Sequence, residues 1–158
     1  MIDINYYNQL PKKRMGAGAL LLDAQDHLLL VKPTYRPLWL LPGGVVEENE
    51  SPRLACMREV KEELGLDIHI EKLLCVDYRS KDGERSEVLE FIFYGGVLGP
   101  SDIQSITLPL AELSEYRLVP LEQALSLVND RLAGRLPPSL YALKNNTTAY
   151  LEDGQGVR

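Results

Sequence analysis

Runs and alternations of apolar residues divide the chain into segments of recognisable period. Residues 15–22 and 27–31 are dense in aliphatic side chains, and the polar Asp-Ala-Gln-Asp between them predicts an antiparallel hairpin. Pro33 ends the second strand, because proline offers no N–H to a continuing ladder. Residues 34–44, Thr-Tyr-Arg-Pro-Leu-Trp-Leu-Leu-Pro-Gly-Gly, hold two prolines and two glycines and predict a shaped loop with close backbone approaches. Residues 67–78 and 87–94 read as two further strands around a Lys-Asp-Gly-Glu turn at 81–84. A short strand at 116–119 leads into a proline-opened helix at 120–128, with another helix at 138–144. The polar residues 147–158 are expected to fray. The pattern thus describes one domain over residues 15–146, after an extension at 1–14 and before a tail at 147–158.

Composition agrees with one soluble domain that has its own core: 158 residues, 45% hydrophobic and 25% charged. The formal charge of −6 and pI near 5.0 argue against a duplex nucleic-acid partner, whose footprint is a basic face. They do not forbid an anionic small molecule, since a metal ion or a few cations invert the field locally. The longest apolar stretches, residues 17–22 and 28–31, are too short to span a bilayer. The N-terminal Met-Ile-Asp-Ile-Asn-Tyr-Tyr lacks a cationic segment followed by an apolar one, so no membrane partner and a cytoplasmic location are expected. Cys56 and Cys75 have no metal-ligand spacing and read as small buried apolar residues.

The segment richest in chemical signal is residues 44–66. Ser51-Pro52 supplies an N-cap and a first-turn proline, and Gly65 a stop, which predicts a helix between them. With Glu59 at 0° and about 100° per residue, Glu62 falls at about 300° and Glu63 at about 40°, whereas Val60, Leu64, Met57 and Leu54 fall at about 100°, 140°, 160° and 220°. Three carboxylates therefore share one edge, with the apolar residues expected opposite. Like charges one turn apart cost a few tenths of a kcal/mol per pair. Either the edge is a solvated acidic face eased by Arg58 and Lys61, or it binds a divalent cation through hard oxygen ligands. Spacing of the carboxylates alone does not decide between these.

The longer pattern does decide. Gly44, five residues, Glu50, seven residues, then Arg58-Glu59-Val60-Lys61-Glu62-Glu63-Leu64-Gly65-Leu66 matches every fixed position of the Nudix box, G-x5-E-x7-R-E-U-x-E-E-x-G-U with U aliphatic. The chain therefore resembles the Nudix (MutT-like) hydrolases. The resemblance implies an α/β fold, an α/β/α sandwich with a mixed β-sheet, and Mg²⁺- or Mn²⁺-dependent cleavage of a diphosphate bond in a nucleotide or nucleoside diphosphate derivative. It implies that Glu59, Glu62 and Glu63 bind metal with the carbonyl of Gly43, while Arg58 and Glu50 brace the helix against its loop. Glu59 is the first choice of general base. Glu112 and Glu115 stand where many relatives carry a late glutamate, or form an acidic solvated turn.

Substrate contacts stay open at this level. Lys32 and Arg36 are either phosphate ligands or surface cations, Trp39 either a stacking platform or loop packing. Tyr78 and Arg79 are further candidates, while His27 and His69 read as structural. Two other functions compete: a catalytically silent Nudix-fold sensor and an isomerase of the isopentenyl diphosphate type. The intact box disfavours both. The N-terminal residues 2–10, with Tyr6 and Tyr7, either add a strand to a partner in a homodimer or cover their own core. Residues 44–66 carry six of the 23 acidic residues against three cations, an excess that suits a cation site.

Overall fold

Successive side chains of the first two strands enter opposite cores. The computed structural model describes residues 3–157. Its elements are α1 (Ile4–Gln9), β1 (Arg14–Leu22), β2 (Leu28–Pro33), β3 (Gly43–Val45), α2 (Pro52–Leu64), β4 (Lys72–Arg79), β5 (Val88–Val97), α3 (Pro100–Ser105), β6 (Leu113–Val119), α4 (Leu121–Leu127), α5 (Asp130–Asn145), β7 (Ala149–Glu152) and β8 (Gln155–Gly156). Ala17, Ala19 and Leu21 of β1 pack with Leu29 and Val31 against Ala55, Cys56, Val60 and Leu64 of α2. Leu20 and Leu22 pack with Leu28, Leu30, Leu74 and Ile92 against Ala124, Leu132 and Leu136 of α4 and α5. A strand covered on both faces needs aliphatic side chains at nearly every position, which is why these segments read as continuous runs. The result is the expected α/β/α sandwich, and both cysteines are fully buried.

The sheet is mixed, in the order β6-β2-β1-β5-β4-β7-β8, with β3 pairing β1 off this path. The β1–β5 and β4–β7 pairs are parallel, and the others antiparallel. One edge of β1 is shared: its tip pairs Leu22 with Leu28 of β2, while Gly16, Ala17 and Gly18 pair with Val45, Gly44 and Gly43 of β3. The strands β1 and β2 thus diverge, and the proline-glycine loop fills the gap, with Trp39 and Leu41 buried in the second core. That loop delivers residues 43–45 to the middle of the sheet.

Several sequence expectations need correction. The strand expected from residue 67 begins at Lys72, leaving 67–71 without regular structure. Helix α3 was not anticipated. The last long helix starts at Asp130, capped by the Asn129 side chain, and runs through Pro137 and Pro138 instead of starting at the latter. Residues 147–157 do not fray: β7 adds to the edge of β4 and returns as β8, while residue 158 lies outside the described residues. The N-terminal segment neither forms a strand nor covers a core, since α1 has no buried residue; Ile2 lies outside the described residues. Among the described residues, no helix is long and apolar enough to cross a membrane.

Candidate functional site

Helix α2 has the ends its sequence encodes. Ser51 Oγ accepts a hydrogen bond from the Leu54 N–H at 3.2 Å, and Gly65 adopts φ +73° while donating its N–H to the Lys61 carbonyl at 3.0 Å. Its buried face differs from the expected one. Leu54 is exposed, while Ala55, Cys56, Val60 and Leu64 face the core. On the same projection Ala55 and Cys56 lie at about 320° and 60°, so they flank Glu59 and Glu63. The two carboxylates therefore sit on the inward arc instead of opposite it. Small neighbours make this feasible: a Cβ on Gly44 would lie 2.3 Å from Glu59 Oε1, and one on Gly43 would lie 2.3 Å from the Ala17 carbonyl oxygen.

Arg58 is the hub of the acidic cluster. Its Nε and Nη2 donate to the two oxygens of Glu50 at 2.8 and 3.0 Å, a bidentate pair that fixes geometry as well as charge. Its Nη1 donates to Glu59 at 2.9 Å and Glu62 at 3.2 Å, and Nη2 also reaches the Val45 carbonyl at 3.1 Å. One guanidinium thus ties the helix to both ends of the loop. Glu50 is held below the ordinary carboxylate range by these bonds from Arg58. Glu63 accepts the Gly43 N–H at 2.8 Å. Burial pushes the Glu63 carboxyl up to about 8 despite that bond, and repulsion from Glu59, Glu112 and Glu62 adds to the rise. Burial raises Glu59 too, with Arg58 opposing.

This donor set fits a hard divalent cation. It offers carboxylate oxygens, and its partly buried, mutually repelling charges are those a cation relieves. Among the described residues, no three His, Cys, Asp or Glu side chains are gathered closely enough to hold an ion in the present arrangement, and Arg58 bonds to oxygens of Glu59 and Glu62.

A cavity of about 490 Å³ opens beside the cluster, lined by Gly16 and Gly18 of β1, by Gly43–Val45 and by residues of β5 and α5. Arg36 lines it, whereas Lys32, Trp39 and Glu112 do not. Trp39 is only 4% exposed, with Arg117 at 4.8 Å and Lys32 at 5.9 Å from its ring centre, so it packs the loop and offers no open face for stacking. Glu112 is exposed and near enough to Glu63 to act on its charge. Glu115 is instead paired with Arg117 at 3.1 Å. His27 supports a turn through Asp23 at 3.0 Å, and His69 lies at the surface 3.2 Å from Glu71. Arg79 does line the cavity, together with Arg14, Arg85, Arg131 and Arg135, which the sequence reading passed over. One signal for these was present: Arg135 lies among Leu132, Leu136 and Ser139 on the buried face of α5, where a charge needs a reason.

A family model for the NUDIX domain matches residues 12–140, and the chain belongs to that family. It is 34% identical over 84 residues to a Bacillus subtilis protein named putative 8-oxo-dGTP diphosphatase, covering 53% of this chain and 54% of that one. It is 37% identical over 67 residues to an RNA pyrophosphohydrolase of Hydrogenovibrio crunogenus, covering 42% and 37%. These matches span about half, or less, of the curated relatives' length. The crystal structure of a MutT protein from Methanosarcina mazei Go1 shares the fold, with a TM-score of 0.68 at 23% identity over 88% of this chain and 100% of that one.

Proposed function

We propose that the chain is a divalent-metal-dependent pyrophosphohydrolase that cleaves the diphosphate bond of a small nucleotide or nucleoside diphosphate derivative. The observation that carries this reading is the junction of the box with the cavity. Glu59 lies against Gly44 and Glu63 bonds to Gly43, two residues that also line the cavity wall. The names of the relatives, a putative 8-oxo-dGTP diphosphatase and an RNA pyrophosphohydrolase, agree with diphosphate chemistry.

Glu59, Glu62 and Glu63, with the Gly43 carbonyl, would hold Mg²⁺ or Mn²⁺. When bound, the ion supplies charge neutralisation for phosphoryl oxygens and acidifies water. A diphosphate is anionic and repels nucleophiles, so positioning and charge screening are the main requirements. Glu59, held at one oxygen by Arg58, serves as the base that takes the proton from the attacking water. The new bond forms between the water oxygen and phosphorus, the bridging P–O bond breaks, and its electron pair leaves with the departing phosphate. Arg58 and Glu50 keep Glu59 and the loop in register, Arg36 faces the substrate's charge, and Glu112 adds negative charge beside Glu63.

The test is a panel of nucleoside triphosphates and nucleoside diphosphate derivatives with Mg²⁺ or Mn²⁺, comparing the chain with Glu63→Gln. The expected outcome is metal-dependent release of phosphate-ester products, reduced by about 10²- to 10⁴-fold in the variant. Tight binding of a panel member with no cleavage of any would refute the hydrolase reading.

A further inference from the structure

The acidic box faces a cavity whose other wall is strongly basic. Arg14, Arg36, Arg79, Arg85, Arg131 and Arg135 line it, against a single carboxylate, Glu90. Counting carboxylates paired from outside does not cancel the excess. Arg79 pairs with Glu90 at 3.3 Å, Arg131 with Asp82 at 3.2 Å and Arg135 with Asp77 at 2.5 Å. Arg14 donates to Ser86 and Arg36 lies over the Tyr35 ring, and among the described residues neither these two nor Arg85 has a carboxylate within salt-bridge distance.

Two of these guanidinium groups are also left with idle buried donors. Arg135 is 8% exposed, and its Nη2 has no hydrogen-bond partner; the Nε of Arg79 is likewise buried without one. A buried charged donor without a partner is costly, so its retention in a cavity wall points to a ligand that completes it. Burial, together with the neighbouring Arg131 and Arg135, holds Arg79 below its ordinary pKa, with Glu90 opposing. Such crowding of cations is relieved by an anion.

The position of this wall says which part of a ligand it meets. The box loop enters at β3, and Arg79 stands on β4, across β1 and β5. Three strand spacings separate them, about 14 Å. One diphosphate at the box cannot also occupy the arginine end.

We propose that the arginine wall is a second anion subsite, and that the substrate is a diphosphate compound whose organic body carries a further phosphate. This rests on the hydrolase reading for the diphosphate end alone. Arg135 and Arg79 supply the buried donors, and Arg85 and Arg131 close the outer side.

The same chemistry could come from a nucleoside or from a sugar, so the test uses both. Calorimetry on the full chain without metal, where the acidic box repels phosphate, compares adenosine with adenosine 2′-monophosphate, and glucose with glucose 6-phosphate. At least one monophosphate is expected to bind tenfold or more tighter than its phosphate-free parent, and the pair that shows it identifies the body. Because Arg135→Gln would strand Asp77 and risks misfolding, the variant of choice is Arg85→Gln with Arg131→Gln, in which discrimination should fall to within about threefold. Turnover of NADP⁺ against NAD⁺, which differ by one phosphate, gives a second measure, expected as a lower KM for a nucleoside body. Equal affinities within both pairs, or discrimination unchanged in the double variant, overturns the subsite. Tight monophosphate binding without turnover of any diphosphate supports the subsite and counts against the hydrolase reading instead.

Discussion

Asp23 shows how one side chain sets a turn and gives it a pH dependence. Its carboxylate accepts the N–H groups of Gln25 at 2.8 Å and His27 at 2.9 Å, and meets the His27 ring at 3.0 Å. Burial alone would raise its pKa, but the bonds from His27 and Gln25 prevail and hold it below the ordinary 3.8. A depressed carboxylate contributes stability above its unfolded pKa and loses it as pH falls through the folded value. Asp23→Ala should therefore destabilise by about 1–3 kcal/mol at pH 7. The gap between the two proteins should narrow below pH 3.8; denaturant unfolding across pH checks it, and a constant gap would contradict it. The hairpin was legible from residue types alone, because the polar turn and aliphatic flanks are local signals. The inward tilt of Glu59 and Glu63 was not. The projection took Val60, Leu64, Met57 and Leu54 as the apolar stripe; Val60 and Leu64 are buried as expected, but Leu54 is exposed and the small Ala55 and Cys56 extend the buried side to the glycine loop.

Among the elements, α2 followed its sequence most faithfully, since capping is written in adjacent residues. Ser51→Ala removes the acceptor for the Leu54 N–H and should cost about 1 kcal/mol. For a chain of this size that lowers Tm by about 2–4 °C. Calorimetric melting measures it, and an unchanged Tm would show that Pro52 and the core contacts fix the helix start unaided. Helix α5 was misread for the complementary reason. Proline inside a helix removes an N–H and crowds the carbonyl four residues back, so Pro138 read as a beginning. The positions four back from Pro137 and Pro138 are Ala133 and Gly134, both small, and the cap that starts the helix is Asn129, whose side chain accepts the Leu132 N–H at 2.9 Å. The box itself was legible because its spacing is tied to one helix and one loop. The arginine wall was not, since its members come from β1, the loop at 36, β4, the turn at 85 and α5, and only the tertiary fold unites them.

At the scale of the molecule, the acidity of the chain is spatially sorted, with carboxylates gathered at the box and arginines on the facing wall of one cavity. The C-terminal residues help to hold that wall. Asp77 is fully buried and accepts both Arg135 Nε at 2.5 Å and the Gly154 N–H at 3.0 Å, so β4, α5 and the β7–β8 turn meet at one carboxylate. Asp153 adds bonds to the Ser80 N–H and hydroxyl at 2.9 and 2.6 Å. Polar composition suggested fraying because the stabilising partners lie about 75 residues away in sequence, at the edge of β4. Removal of residues 147–158 would expose that edge, take the buried Leu151, now 3% exposed, out of the second core, and remove one donor from a buried charge. Burial of a leucine is worth about 1.5–3 kcal/mol, and a hydrogen bond to a charged group about 1.5–3 kcal/mol. The truncated chain should therefore lose about 3–6 kcal/mol, visible as a Tm lower by about 6–24 °C, and should aggregate more readily through the open β4 edge. A truncated chain that melts like the full one would mean that β7 and β8 contribute nothing to the fold, and that Arg135 is oriented by Asp77 without their help.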